Sequence, residues 1–99
     1  MIIYEVNISI PNSLYNKYIK WLNNHMQKML TLSGFLECKK YEIEKNDKSN
    51  RYLSIHYHID SLNSFENYLS HSSKIMQNEG LELFTNNILI DRRVLRLKK

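Results

Sequence analysis

The sequence has little of what marks a disulfide-bonded, disordered or membrane-spanning protein. Its one cysteine, Cys38, excludes an internal disulfide and a zinc cluster built on cysteines. Two glycines and one proline leave little room for a flexible linker, and we expect a single domain over residues 1–99. No apolar run approaches the roughly 18–20 residues that cross a bilayer, and no signal-peptide pattern is recognisable. These absences predict a cytoplasmic protein that does not associate with membranes.

The motifs of several enzyme classes are also missing. The sequence has no glycine-rich phosphate loop, no Gly-x-Ser-x-Gly elbow and no His-Glu-x-x-His segment, so hydrolase and nucleotidyl chemistry have no support. The formal charge is +4, but the basic residues cluster around one hairpin and at the end of the chain, with glutamates interspersed elsewhere. This distribution indicates a mildly basic, solvated surface more than a nucleic-acid site.

The first third of the chain predicts a strand followed by a helix. Residues 2–10 alternate, with apolar side chains at even positions and mostly polar ones at odd positions, as in a strand with one buried face. Asn12 or Ser13 is expected to cap a helix that runs to about Leu32, where apolar residues recur at helical spacing. Gly34 suits the left-handed position that ends a helix.

The remainder predicts a hairpin, a second helix and a last strand. Strands over residues 35–44 and 52–59 flank a polar connection, and the next helix is expected to end or kink at Gly80. Apolar residues change parity within the last strand, residues 87–97, which predicts a bulge near residues 91–93. The stripe expected to be buried on the second helix consists of Leu62, Phe65, Leu69 and Met76.

This order of elements predicts an α+β fold, a ferredoxin-like βαββαβ sandwich with an antiparallel sheet. Both helices should cover the apolar face of the first and third strands. The opposite face, which carries Glu5, Asn7, His56 and His58, must then meet water, a second subunit or RNA. RNA binding is the disfavoured alternative, because residues 51–57 lack the glycine and stacking rings that RNA-recognition domains use.

Several segments carry a resemblance that covers nearly the whole chain in order. They are MIIYEVNISI, WLNNHMQKMLTLSGF, YLSIHYHI with the following DSLNSFENYL, and NEGLELF and DRRVLRL near the end. Together they resemble a small bacterial domain family of unknown function within the antibiotic-biosynthesis-monooxygenase-like dimeric α+β barrels. The resemblance implies a homodimer in which the sheets of two protomers pack together with the helices outside. In characterised relatives, a pocket between sheet and helices holds an aromatic substrate or haem.

Trp21, His25 and His71 are the candidate catalytic residues. Trp21 and His25 lie at i and i+4 on one predicted helix face, so they can line the same pocket. The resemblance implies a use for them, because relatives that oxidise aromatic compounds without a cofactor hold the substrate with Asn, Trp and His side chains. The alternative is that Trp21 and His25 only pack at the edge of the core and that His71 is a surface residue.

Asn7, His56 and His58 are the candidate ligand-binding residues. His56 and His58 share one side of a strand, as in some zinc sites, but a third ligand would have to come from Glu5, Glu37 or another subunit. We therefore predict no metal and no cofactor. Asn7 has the wrong parity to share a helix-facing pocket unless its strand bulges.

The sequence supports two functional hypotheses and leaves open whether the protein is an enzyme. The first is a small dimeric protein that binds a small aromatic ligand or has no catalytic role. The second is a cofactor-independent monooxygenase-like enzyme that uses the pocket between sheet and helices. The expected partner is a second copy of the chain, bound through the sheet face.

Overall fold

The computed structural model describes residues 1–85 and 87–99, and it confirms the predicted order of strands and helices. A short 3-10 turn (Asn12–Leu14) separates the first strand from the first helix. The helices are α1 (Tyr15–Met29), α2 (Leu62–His71) and α3 (Ser73–Phe84). The strands are β1 (Ile2–Pro11), β2 (Phe35–Glu42), β3 (Asn50–Ile59) and β4 (Leu89–Arg96).

The four strands form one antiparallel sheet in the order β2-β3-β1-β4. This is the predicted ferredoxin-like arrangement. β1 and β3 lie at the centre, and their register pairs Tyr4 with Tyr57 and Glu5 with His56. Since side chains alternate along a strand, Tyr4 and Tyr57 lie on one sheet face, and Glu5 and His56 on the other.

The hydrophobic core lies between the helices and one face of the sheet, as the sequence predicts. The side chains of Ile10 and Ile59 on this face are fully buried. We call this the helix-covered face and the opposite side the open face. The helices add buried side chains at Tyr18, Leu22, Met29, Phe65, Tyr68, Met76 and Phe84.

The second helix differs from the prediction, because it is divided at Ser72 and Gly80 lies inside α3. Ser72 leaves helical geometry, with φ −125° and ψ −25°. The Ser73 hydroxyl donates to the Leu69 carbonyl, 2.9 Å away, and such local bonds compete with regular helix geometry. Two residues of the predicted stripe are wrong, since Leu62 and Leu69 are 41% and 48% exposed. Tyr68 is buried in their place.

The bulge predicted in the last strand is absent from residues 89–96. Register between β1 and β4 is continuous from Ile2 opposite Arg96 to Ser9 opposite Leu89. The change of parity instead reflects the position of β4 at the sheet edge, where both faces are weakly covered. The irregularity lies in β2, between Phe35 and Glu37.

The first helix is shorter than predicted and has a different start. α1 ends at Met29, about three residues early, although Gly34 has the expected left-handed φ of +86°. In the part of the chain that the structure describes, no side chain caps the start of α1. The Asn12 amide instead donates to the Lys48 carbonyl at 2.6 Å, which ties this turn to the hairpin connection. Among the described residues, no helix is long and apolar enough to cross a membrane.

Candidate functional site

A cavity of about 270 Å³ lies between the helix-covered face and helices α1 and α3. Strands β1, β3 and β4 form its floor, and α1 and α3 form its walls. Its position is therefore the one in which the sequence analysis places a pocket. The residues that line it include Tyr4, Tyr18, Trp21, His25, Tyr57, Tyr68, Gln77, Gly80, Leu81 and Arg92.

Aromatic rings make up much of the lining. The Tyr18 ring lies 5.5 Å from Trp21 and 4.9 Å, edge to face, from Phe84. On the sheet side, the Tyr4 ring lies 5.7 Å from Tyr68 and 6.0 Å from Tyr57. These spacings are those at which aromatic pairs attract one another, so the walls are held in place by their own packing.

Trp21 and His25 come together as predicted, and both line the cavity. Their rings are stacked, with centroids 4.6 Å apart and planes 17° apart. The His25 Nδ1 atom is buried and has no hydrogen-bond partner among the described residues. Burial lowers the pKa of His25, and the nearby Glu79 carboxylate opposes this only in part. The ring is therefore neutral at neutral pH and offers a free nitrogen.

Gly80 allows α3 to approach this pair closely. A Cβ atom at position 80 would lie 2.9 Å from the Cη2 atom of Trp21. Glycine in the middle of a helix costs about 0.5–1 kcal/mol relative to alanine. The contact with Trp21 gives a structural reason for that cost, because any larger residue would displace the indole.

The remaining polar groups of the cavity are tyrosine hydroxyls, Gln77 and Arg92. Burial raises the pKa of Tyr18 to about 12, and the positive charge of Arg92 only partly offsets the effect. Burial also raises the pKa of Tyr4 and of Tyr68, where Arg92 and Gln77 again oppose it. These hydroxyls therefore remain protonated at neutral pH and can donate hydrogen bonds.

The third catalytic candidate, His71, does not reach this cavity. It lies at the end of α2 on the exposed surface, and its Nδ1 atom is 3.0 Å from the Asn67 carbonyl oxygen. The local bond and the exposure fit the alternative interpretation of a surface residue.

Asn7, His56 and His58 lie on the open face, so the parity argument that separated Asn7 from the helix-facing pocket is confirmed. Asn7 also lines a second cleft of about 240 Å³, together with Tyr52 and Lys45. The ligand-binding candidates are thus on the opposite side of the sheet from Trp21 and His25, and the two groups cannot form one site.

Glu5 organises the centre of the open face, although only 5% of it is exposed. Its carboxylate accepts hydrogen bonds from Arg93 and, at 2.9 Å, from Asn7, while the His56 Nε2 atom lies 3.2 Å away. Burial alone would raise the pKa of Glu5, but the bonds from Arg93 and Asn7 outweigh it and lower the pKa. Glu5 is therefore an ionised, partnered carboxylate.

Each of the two histidines on β3 lies near a different carboxylate. His58 Nε2 lies 3.9 Å from Glu37, and His56 contacts Glu5. Within residues 1–85 and 87–99, no three His, Cys, Asp or Glu side chains are grouped as metal ligands.

Sequence reasoning missed Arg92 and the tyrosine lining. Strand parity places Tyr4 and Tyr57 on the face towards the helices, so this part of the lining could have been predicted from the sequence. The sequence pattern groups Arg92 only with the basic residues at the end of the chain. Its place opposite Val6, on the helix-covered face, depends on the β4 register, which the predicted bulge left undefined.

Solved structures with this fold include proteins of known and unknown activity. A Deinococcus radiodurans protein, provisionally named an antibiotic biosynthesis monooxygenase, aligns with a TM-score of 0.74 at 15% identity, over 100% of this chain and 94% of its own. A variant of SnoaB, a cofactor-independent oxygenase from Streptomyces nogalater, aligns with a TM-score of 0.69 at 12% identity, over 99% and 94% of the two chains.

A de novo designed protein also aligns, with a TM-score of 0.65 at 13% identity over 98% of each chain. At these identities the likeness shows the fold alone. No curated protein matches the chain in sequence at a significant level.

These neighbours confirm the predicted ferredoxin-like fold, which the chain shares with antibiotic-biosynthesis-monooxygenase-like proteins. The family itself is identified by sequence. A family model described as a domain of unknown function, DUF4286, matches residues 1–98, and the chain therefore belongs to the DUF4286 family.

Proposed function

We propose that this protein binds a small aromatic molecule in the cavity between the helix-covered face and α1 and α3. The observation that carries the proposal is a cavity of about 270 Å³ lined by tyrosine and tryptophan rings. An apolar cavity of about 150 Å³ is enough to hold benzene. The space here thus suits a molecule of about two fused rings, with tyrosine hydroxyls and Gln77 available to orient it.

Calorimetric titration with 2-naphthol, an uncharged two-ring probe, tests the proposal. Leu81 lines the cavity and is 53% exposed, so Leu81→Trp should obstruct the cavity without disturbing the core. Leu83→Trp is the matched control, because Leu83 is 58% exposed on the same helix and is not part of the lining. We expect the wild type and L83W to bind and L81W to lose affinity. Equal affinity in all three proteins, or no binding to the wild type, would contradict the proposal.

A cofactor-independent oxygenase is the second hypothesis for the same cavity. The comparisons are compatible with it, but nothing in them favours it over simple binding. Its structural support is the Nδ1 atom of His25, which has no hydrogen-bond partner within residues 1–85 and 87–99 and can accept a proton from a phenolic hydroxyl. Oxygen uptake should be measured with quinols and anthrone-like aromatics, using His25→Ala and Trp21→Phe as variants. No uptake by the wild type with any of them would leave binding as the function.

We further propose that the protein is a cytoplasmic bacterial homodimer assembled through the open face. The protomer exposes 6747 Å². Typical monomers of its mass, 11.9 kDa, expose about 5,900 Å². The excess of roughly 800 Å² equals the share of one partner in a standard interface. Apolar side chains at Leu89, Tyr41 and Ile3 on the open face can supply contact area around the polar centre at Glu5.

A further inference from the structure

The charge of the cavity lining is unbalanced. Among the described lining residues, Arg92 carries the one permanent charge, and the lining contains no Asp, Glu or Lys. Glu79, whose charge raises the pKa of His25, lies outside the lining and is bound to Lys28 by a salt bridge. The cavity therefore presents a guanidinium group that no carboxylate of its own wall neutralises.

Arg92 is placed where a ligand can reach it. It lies opposite Val6 on the helix-covered face, and it is exposed to solvent while it also lines the cavity. Tyr4, Tyr18 and Tyr68 line the same cavity as Arg92, and the charge of Arg92 opposes the rise in the pKa of each of them. A planar guanidinium beside hydroxyl donors matches the two oxygens of a carboxylate.

We propose that the ligand of the cavity is an aromatic carboxylate whose carboxylate group binds Arg92 and whose ring system lies against Trp21 and the tyrosines. This inference rests on the proposed function, and it adds the chemical class of the ligand. A cationic ligand would be repelled by the charge of Arg92, and a neutral aromatic would gain no charge-assisted hydrogen bond from it. An anion at the cavity opening satisfies Arg92 and keeps the apolar rings inside.

The test compares 2-naphthoate with 2-naphthamide, which has nearly the same shape but no charge, by calorimetry at pH 7.5. The variants are Arg92→Gln and, as the matched control, Arg96→Gln. Arg96 lies four residues further along β4, has the same strand parity as Arg92, and is not part of the cavity lining. Thermal melting of each variant establishes whether it is folded. If R92Q is unfolded, Arg92→Lys, which keeps the positive charge, takes its place.

We expect the wild type and R96Q to bind 2-naphthoate about 10- to 100-fold more tightly than 2-naphthamide, the range that a charge-assisted hydrogen bond supplies. R92Q should lose this preference and retain its affinity for the amide. R92K should keep only part of the preference for the acid. Equal affinity of the wild type for acid and amide would overturn the inference and leave the proposed function standing. Loss of the preference in R96Q as well would also overturn it, since it would show a general effect of surface charge. Failure to bind either probe would overturn both.

Discussion

At the scale of single residues, the shape of the cavity depends on a contact between a glycine and the only tryptophan. Trp21 stacks on His25, and the outer edge of its indole occupies the space where a side chain at position 80 would begin. Ordinary van der Waals contact is reached at about 3.5–4.0 Å, whereas a Cβ at position 80 would lie 2.9 Å from the indole. There is therefore no room for a side chain at position 80 beside the indole.

A double-mutant cycle on these two residues makes a specific prediction. In the wild type, Gly80→Ala should shift the fluorescence of Trp21 and reduce stability, because the ring must move. After Trp21→Phe, which removes the clashing atoms, the same change should stabilise α3 by about 0.5–1 kcal/mol through helix propensity. Urea denaturation of the four proteins measures both effects. An identical change in the free energy of unfolding in the two backgrounds would contradict the contact.

Glu5 makes a second residue-scale prediction, which concerns pH. Its pKa in the folded protein is lowered below the ordinary value of 4.5. Its ionised form therefore stabilises the fold at pH values above 4.5, and this contribution is lost as the pH falls through the lowered pKa. Glu5→Gln should cost about 1–3 kcal/mol at neutral pH, because Arg93 loses its charged acceptor.

The difference in stability between wild type and E5Q should then shrink as the pH falls from 5 towards 3. Denaturant unfolding at several pH values measures this difference. Glu66→Gln on the exposed side of α2 is the control and should change the free energy of unfolding by less than about 0.5 kcal/mol. A pH-independent difference for E5Q would mean that Glu5 has no lowered pKa.

At the scale of elements, the helices bury narrower stripes than their apolar residues suggest. α1 buries Leu22, of which 2% is exposed, whereas the α2 residue Leu69 is 48% exposed. The break at Ser72 ends α2 within one turn of Leu69.

Alanine substitutions separate these two leucines. Leu22→Ala should lower the free energy of unfolding by about 2–5 kcal/mol, since it leaves a cavity in the core. Leu69→Ala should lower it by less than about 1 kcal/mol, as for other exposed positions. Denaturant curves provide both values. Comparable losses at the two positions would show that Leu69 is buried in solution.

At the scale of the whole molecule, the open face is the side of the sheet that no helix covers. Helices cover one side of the sheet, and the opposite side combines the Glu5 network with exposed apolar residues. A small domain with one sheet face uncovered gains stability by pairing with another copy.

We expect light scattering at micromolar concentration and neutral pH to give the mass of a dimer. Leu89→Arg should shift the protein towards monomer, because Leu89 is 69% exposed on the open face and a buried unpaired charge is costly. Leu83→Arg is the matched control on the exposed surface of α3 and should leave the dimer intact. A monomer mass for the wild type would refute the proposed assembly.

The fold and the two sheet faces follow from the sequence pattern, because strand and helix periodicity are properties of neighbouring residues. Alternation in residues 2–10 separated Tyr4 from Glu5, and helical spacing brought Trp21 to His25. Both results follow from backbone geometry, which fixes where side chains point within one element.

Which side chains are buried, and which polar groups contact one another, depends on packing between segments that are distant in sequence. Arg93 binds Glu5 across 88 positions of sequence, and the place of Arg92 in the cavity requires the β1–β4 register. Leu69 satisfies the helical pattern as well as Tyr68 does, yet only Tyr68 faces the Tyr4 ring. Whether such a side chain is buried depends on the space and the polar groups that distant segments supply. Local periodicity gives no information about either.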